Sequence, residues 1–237
     1  LQLVMPTDGL VGIAVEGLAP TDQTSASAKT VEIADLVLYY GTRPTFDGTR
    51  AVVIVQVKYS RSSQMVPFRA SDARKTIGKF AAAFRGHKRK HGAKDVERKL
   101  AFELITNRPI YREFAKAIDG LASGIPLKGD AKKQATQFTS ACGFKGEELA
   151  QFAQKVRITD LAGSLRQNKQ RLSRVLADWS VAPDAMARAR LGNMRQLLKD
   201  KAGLAGERQN VITRTDVLDA LELQSSEDLF PCPASFP

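Results

Sequence analysis

The chain has 237 residues, 43% hydrophobic and 26% charged, enough apolar matter for one large domain or two small ones with genuine cores, which excludes a disordered or fibrous polypeptide. Its 36 lysines and arginines against 25 acidic residues give a formal charge of +11, and that excess favours a polyanionic partner, because each cation that displaces a counterion from a phosphate backbone adds salt-sensitive affinity. Two cysteines, Cys142 and Cys232, suggest neither a disulfide framework nor a cysteine zinc site, and no long apolar run or charged-then-apolar leader points to a membrane span or signal peptide. A reduced, cytoplasmic setting without membrane association is expected. The missing initiator Met and the Pro-rich end EDLFPCPASFP suggest an excised piece of a longer polypeptide.

In chain order, GLVGIAVEG (9–17) alternates as a strand that ends at Glu16, and the polar loop after it separates two strands. VEIADLVLYYG, from Val31 to Gly41, is the second strand, in which Asp35 shares a face with Ile33, Val37 and Tyr39 while Glu32 is turned away. A carboxylate among apolar neighbours must be paired, hydrogen-bonded or bound to a metal. The stretch from Gly41 to Thr49 is dense in turn formers, predicting an antiparallel hairpin into AVVIVQVKYS, Ala51 to Ser60. There a Val/Ile-rich run meets Gln56 and Lys58, which by strand parity point to one face, with Val55, Val57 and Tyr59 on the other. The hairpin sets Asp35 opposite that Gln-x-Lys face.

After an irregular connector, Arg61 to Phe68, the segment Asp72 to Phe84 is a helix with Lys75 and Lys79 one turn apart. Lys88, Arg89 and Lys90 belong to a crowded basic decade, read as a solvated loop near a polyanion. It also carries His87 and His91; their spacing would suit a shared metal, but no Glu follows the first His and the residues between them are cations. LAFELITNRPI, Leu100 to Ile110, is a further strand, and Asn107-Arg108 serves either as a phosphate contact or as a turn before Pro109. From about Gly124 everything reads as helix: Phe152, Val156 and Ile158 lead into an apolar stripe through Leu161, Leu165, Leu172, Val175, Leu176 and Trp179, and Thr213 with Asp216 forms a capping pair for a last helix through Leu221. The expected organisation is an α/β core over residues 1–124 and an all-helical accessory region over 125–237.

An Asp on one strand and Gln-x-Lys on the next, followed by a Lys-rich helix and another strand, resembles the PD-(D/E)xK nuclease superfamily, the restriction-endonuclease-like fold. QVKYS and ITNRP look most like the N-terminal double-stranded-DNA endonuclease modules of bacterial antiphage effectors, including STAND-type NTPases, with Mrr-like nucleases as wider kin. The resemblance covers about the first half of the chain. It implies a mixed sheet flanked by helices and a Mg²⁺- or Mn²⁺-dependent endonuclease acting on double-stranded DNA.

Phosphodiester hydrolysis needs a neutralised transition state and a supplied hydroxide, and a divalent ion with hard oxygen ligands provides both. Asp35 and the Gln56 side-chain oxygen are the candidate ligands, joined by resemblance by the Val57 backbone carbonyl; Glu16 is the best candidate for a further carboxylate. Lys58 would orient the attacking water or stabilise charge developing on the phosphate. The superfamily usually has Glu where this chain has Gln56. Lys75, Lys79, Lys88, Arg89 and Lys90 are the candidate DNA contacts. The resemblance also implies a downstream sensor or NTPase domain and homo-oligomerisation on activation. The competing readings are a non-catalytic basic DNA-binding module and a helical interaction region on a degenerate nuclease fold. A purely structural reading leaves Asp35 capping a turn, Gln56 at a sheet edge and Lys58 snorkelling to solvent.

Overall fold

In the computed structural model, residues 3, 9–22, 34–160, 165–180, 184–202 and 210–222 are described. Six strands form one mixed sheet in the order β5-β4-β3-β2-β1-β6. Strands β1 (Leu10–Val15), β2 (Leu36–Gly41) and β3 (Thr49–Lys58) run as an antiparallel meander. The chain then crosses over through α1 (Ala70–His91) and the short α2 (Ala93–Lys99) to β4 (Leu100–Thr106), which pairs parallel to β3. Three helices follow, α3 (Arg112–Ser123), α4 (Gly129–Cys142) and α5 (Gly146–Lys155), before β5 (Val156–Asp160) joins the edge beside β4. Helices α6 (Leu165–Ser180) and α7 (Asp184–Lys201), the two-residue β6 (Val211–Ile212) and α8 (Arg214–Ala220) complete the order.

Strand parity divides the sheet between two cores. On one face Val37, Tyr39, Val52 and Ile54 pack with Phe80, Phe84 and Phe102, and Phe138, Phe144 and Phe152 from α4, α5 and the loop between them close the same cluster. The other face puts Leu36, Leu38 and Tyr40 against Val15, Ile212, Val217 and the α7 residues Leu191, Met194 and Leu197. The α/β class is therefore as expected, with the 41–49 hairpin and the Thr213–Asp216 capping box in place.

Three expectations need correction. The region after Gly124 is not all helix, because β5 and β6 add strands to both edges of the sheet; the boundary at Gly124 falls between α3 and α4, inside the unit that builds the main core. Val156 and Ile158, read as part of a helical stripe, lie on β5. The basic decade is no solvated loop: α1 runs unbroken to His91 and buries His87. Glu32, Ile33, Leu161 and Pro183 lie outside the described residues.

Candidate active site

Leu36 pairs with Val55, which brings Asp35, one residue before β2, level with Gln56. Asp35 lies on the face that carries Val37 and Tyr39, and Gln56 on the face of Val52 and Ile54, so both belong to the side covered by α1. The contact is direct. Asp35 Oδ2 accepts from Gln56 Nε2 at 2.6 Å and from the Val57 backbone N–H at 2.6 Å. Both bonds fall on one carboxylate oxygen, so Asp35 Oδ1 accepts nothing from the described residues. Gln56 is 7% exposed, and its Oε1 is buried without a donor. A desolvated amide oxygen without a partner costs about 1–3 kcal/mol, so this geometry holds the Gln56 oxygen uncommitted at an energetic cost.

Lys58 lies one pleat beyond Gln56 on the same face, half-buried, and makes no hydrogen bond or ion pair with a described residue. Glu16 stands on the far side of Asp35, its backbone N–H donating to the Asp35 carbonyl at 2.8 Å. Its φ of 53° is left-handed, a conformation costing on the order of 1 kcal/mol for a residue with a Cβ. That turn ends β1 and leaves the Glu16 side chain exposed beside the Asp35 strand. Among the described residues no three His, Cys, Asp or Glu side chains gather in one place, so a metal here would rest on one or two carboxylates plus amide and backbone oxygens.

The ends of β3 and β4 are locked together beside the site. Asn107 Oδ1 accepts from Ser60 N and Asn107 Nδ2 donates to Ser60 O, both at 2.8 Å. Arg108 donates to the carbonyls of Val66 (2.8 Å) and Pro67 (2.9 Å) and to Asp72 Oδ2 (3.1 Å), with its guanidinium over the Phe68 ring. Of the two readings of Asn107-Arg108, the structure supports the turn: these side chains clamp the connector that follows Lys58 and are already spoken for.

The candidate DNA contacts separate along α1. Because α1 is the crossover between parallel strands, it starts at the Lys58 end of the sheet and finishes at the opposite end. Lys75 and Lys79 lie within its first three turns. Lys88, Arg89 and Lys90 lie about 27 Å further along the axis than Ala70, at 1.5 Å per residue. Arg89 and Lys90 are exposed, whereas Lys88 is turned inward: its ammonium donates to Gln151 Oε1 at 3.0 Å, lies 3.6 Å from Glu97 and sits over the Phe84 ring. His87 is buried at 5% exposure with neither ring nitrogen bonded, and burial, with His91 and Lys90 nearby, pushes its pKa down to about 4. His91 stacks on Phe46 at 4.1 Å, and its Nδ1 lies 3.3 Å from Asp47. Phe46 is held in turn by buried Asp22, both of whose carboxylate oxygens accept the Phe46 N–H at 3.1 Å. The histidines thus anchor the β2–β3 turn to the end of α1.

No family model matches the sequence, and no curated protein matches it.

Proposed function

We propose that the chain is a divalent-metal-dependent endonuclease acting on double-stranded DNA, with its active site at the end of β3, on a restriction-endonuclease-like sheet. The supporting observation is the buried, unpartnered Gln56 Oε1, on an amide that is bonded to the Asp35 carboxylate, with Lys58 one pleat along the same face. The antiparallel meander, the α1 crossover and a site at the β3 terminus agree with the strand, strand, helix, strand order that suggested the family.

A hard divalent ion suits this donor set of carboxylate, amide and backbone oxygens, and when bound it supplies charge neutralisation for a phosphate and a more acidic water. Asp35 and Gln56 would hold it, with the Val57 carbonyl and Glu16 as the remaining candidates. Lys58 then places a positive charge at the reacting phosphate or orients the incoming water, and in-line attack leaves a 5′-phosphate. Lys75, on the first turns of α1, would meet the backbone of the same duplex. The wider reading, an antiphage effector module joined to a sensor or NTPase domain, active when assembled and working in the cytoplasm, rests on the sequence resemblance. For the described residues, no helix is long and apolar enough to cross a membrane.

One observation favours the non-catalytic alternative. The Gln56 Nε2 bond to Asp35 compensates that carboxylate without any ion, and a neutral amide stands where the superfamily usually has a charge. Incubating supercoiled plasmid with the protein, in Mg²⁺, in Mn²⁺ and in EDTA, separates the two. Nicking or linearisation that needs the ion supports the nuclease; DNA retention without cleavage in either ion supports the binding module.

A further inference from the structure

Between α6 and α7 lies an open cleft of about 1100 Å³. Packed helices ordinarily meet through apolar side chains. Here Arg166, Lys169, Arg171 and Arg174 from α6 and Arg188 and Arg195 from α7 line the cleft, with Asp178 the sole acidic residue among its lining. All six cations are exposed, and none makes an ion pair with a described residue. Arg166 with Lys169, and Arg171 with Arg174, are like charges three apart on one helix, an arrangement that destabilises a helix unless a counter-charge is present. Gly192 adds no side chain to the lining, and the space beside it is open.

The α6–α7 pair is also held on the sheet through α7. Met194 and Leu197 pack α7 onto the second core of the sheet, and Lys201 pairs with Asp216 of α8 at 3.0 Å. Its start is tied to the catalytic end of the sheet: Lys58 pairs with Thr106, and Thr106 with Asp160, so β5 ends in line with Lys58. Two strand spacings and the five-residue step to Leu165 keep the start of α6 within roughly 30 Å of Lys58, while α7 covers the opposite face of the sheet, so one duplex reaches both by passing the strand ends.

We infer that the α6–α7 cleft is a second DNA-backbone site, which holds the duplex flanking the segment presented to Asp35, Gln56 and Lys58. The choice of DNA as occupant rests on the nuclease reading; the charge and shape of the cleft do not. Five of the six cations are arginines, whose planar guanidinium groups engage phosphate oxygens bidentately. A lipid surface would need apolar side chains beside the cations on a convex face, whereas this face is concave and the exposed Leu172 and Met186 do not line it.

The test is fluorescence anisotropy of the full chain with a labelled 30-base-pair duplex in EDTA, across a salt series, on an Asp35→Ala background so that cleavage plays no part. Combining Arg171→Glu, Arg174→Glu and Arg188→Glu should weaken binding at least ten-fold and make the slope of log affinity against log salt shallower by about 2–3. Arg171→Gln with Arg174→Gln, a milder pair checked for folding by circular dichroism, should shift both in the same direction. Affinity and slope unchanged in the folded double variant would overturn the inference, as would unchanged DNA binding accompanied by lost binding to phosphatidylserine vesicles. The two readings fail separately. Groove-dependent binding by a protein that cuts nothing in Mg²⁺ or Mn²⁺ removes the nuclease and keeps the site; metal-dependent cutting with groove variants that bind normally does the reverse.

Discussion

The proposed chemistry turns on the amide of Gln56, because it donates to Asp35 and at the same time leaves its own oxygen buried and unpaired. Gln56→Glu replaces that donor with a second carboxylate against Asp35, so the like charges should lower the melting temperature in EDTA and Mg²⁺ should restore it. Calorimetric titration should show tighter metal binding with cleavage retained; a variant unfolded with or without Mg²⁺ would mark the amide as purely structural. His87 provides a second test at this scale. Its folded pKa of about 4 lies below the ordinary 6.5, so the unfolded chain takes up a proton that the folded chain refuses, and stability is lost as pH falls from 6.5 towards 4 by about 3 kcal/mol in all. Buried Asp22 acts in the opposite sense, since burial raises its carboxyl pKa and favours the protonated folded state at low pH. Comparing His87→Leu with the parent isolates the imidazole: denaturant melts should show the variant gaining on wild type between pH 7.5 and pH 5, and parallel pH profiles would contradict the burial of a neutral ring.

At the scale of elements, the β2–β3 hairpin and its facing Asp35 and Gln56 were legible because local rules decide them: turn formers at 41–49 fix the pairing, and parity fixes the face. Strand β5 was not legible. Phe152 and Val156 are four apart and extend a helical pattern, and a short edge strand that buries mainly Val156 is defined by its pairing with β4, which is a tertiary fact. The end of α1 is hidden in the sequence for a similar reason: Gly86 and Gly92 look like loop punctuation, whereas packing of His87 and His91 against Phe46 and of Lys88 against α5 holds the helix together. Along the sequence the α6–α7 cations read as ordinary solvated helix faces, and only the packing of the two helices gathers them into one cleft. Asn107 links the elements at the site, and its clamp on Ser60 gives a prediction that a phosphate contact would not. Asn107→Ala should cost about 1–3 kcal/mol in denaturant melts and slow cleavage, while the salt dependence of DNA affinity stays as in wild type. A flatter salt slope with unchanged stability would return Asn107 to the DNA interface.

On the scale of the whole molecule, one main core runs through both halves of the chain, since Phe138, Phe144 and Phe152 from beyond Gly124 are buried against Phe84 and Phe102. Losing such a Phe costs about 3–5 kcal/mol, and losing all three is comparable to the whole stability of a domain. A chain truncated after Gly124 should therefore fail to give a cooperative melt, and a soluble 1–124 fragment that melts cooperatively would contradict the shared core. The proposed metal-dependent nuclease lies at the end of β3, where Asp35 and Lys58 would act on the transition state more than on the bound duplex. Its most direct test is plasmid cleavage by wild type, Asp35→Ala and Lys58→Ala, in Mg²⁺ and in EDTA, over a concentration series that extends from dilute to assembled protein. Wild type should cut in Mg²⁺ alone, with specific activity rising on assembly, and neither variant should cut although both remain folded and bind DNA; cleavage that persists in EDTA, or a Lys58→Ala protein that nicks at the wild-type rate, would rule out a metal-dependent nuclease at the end of β3.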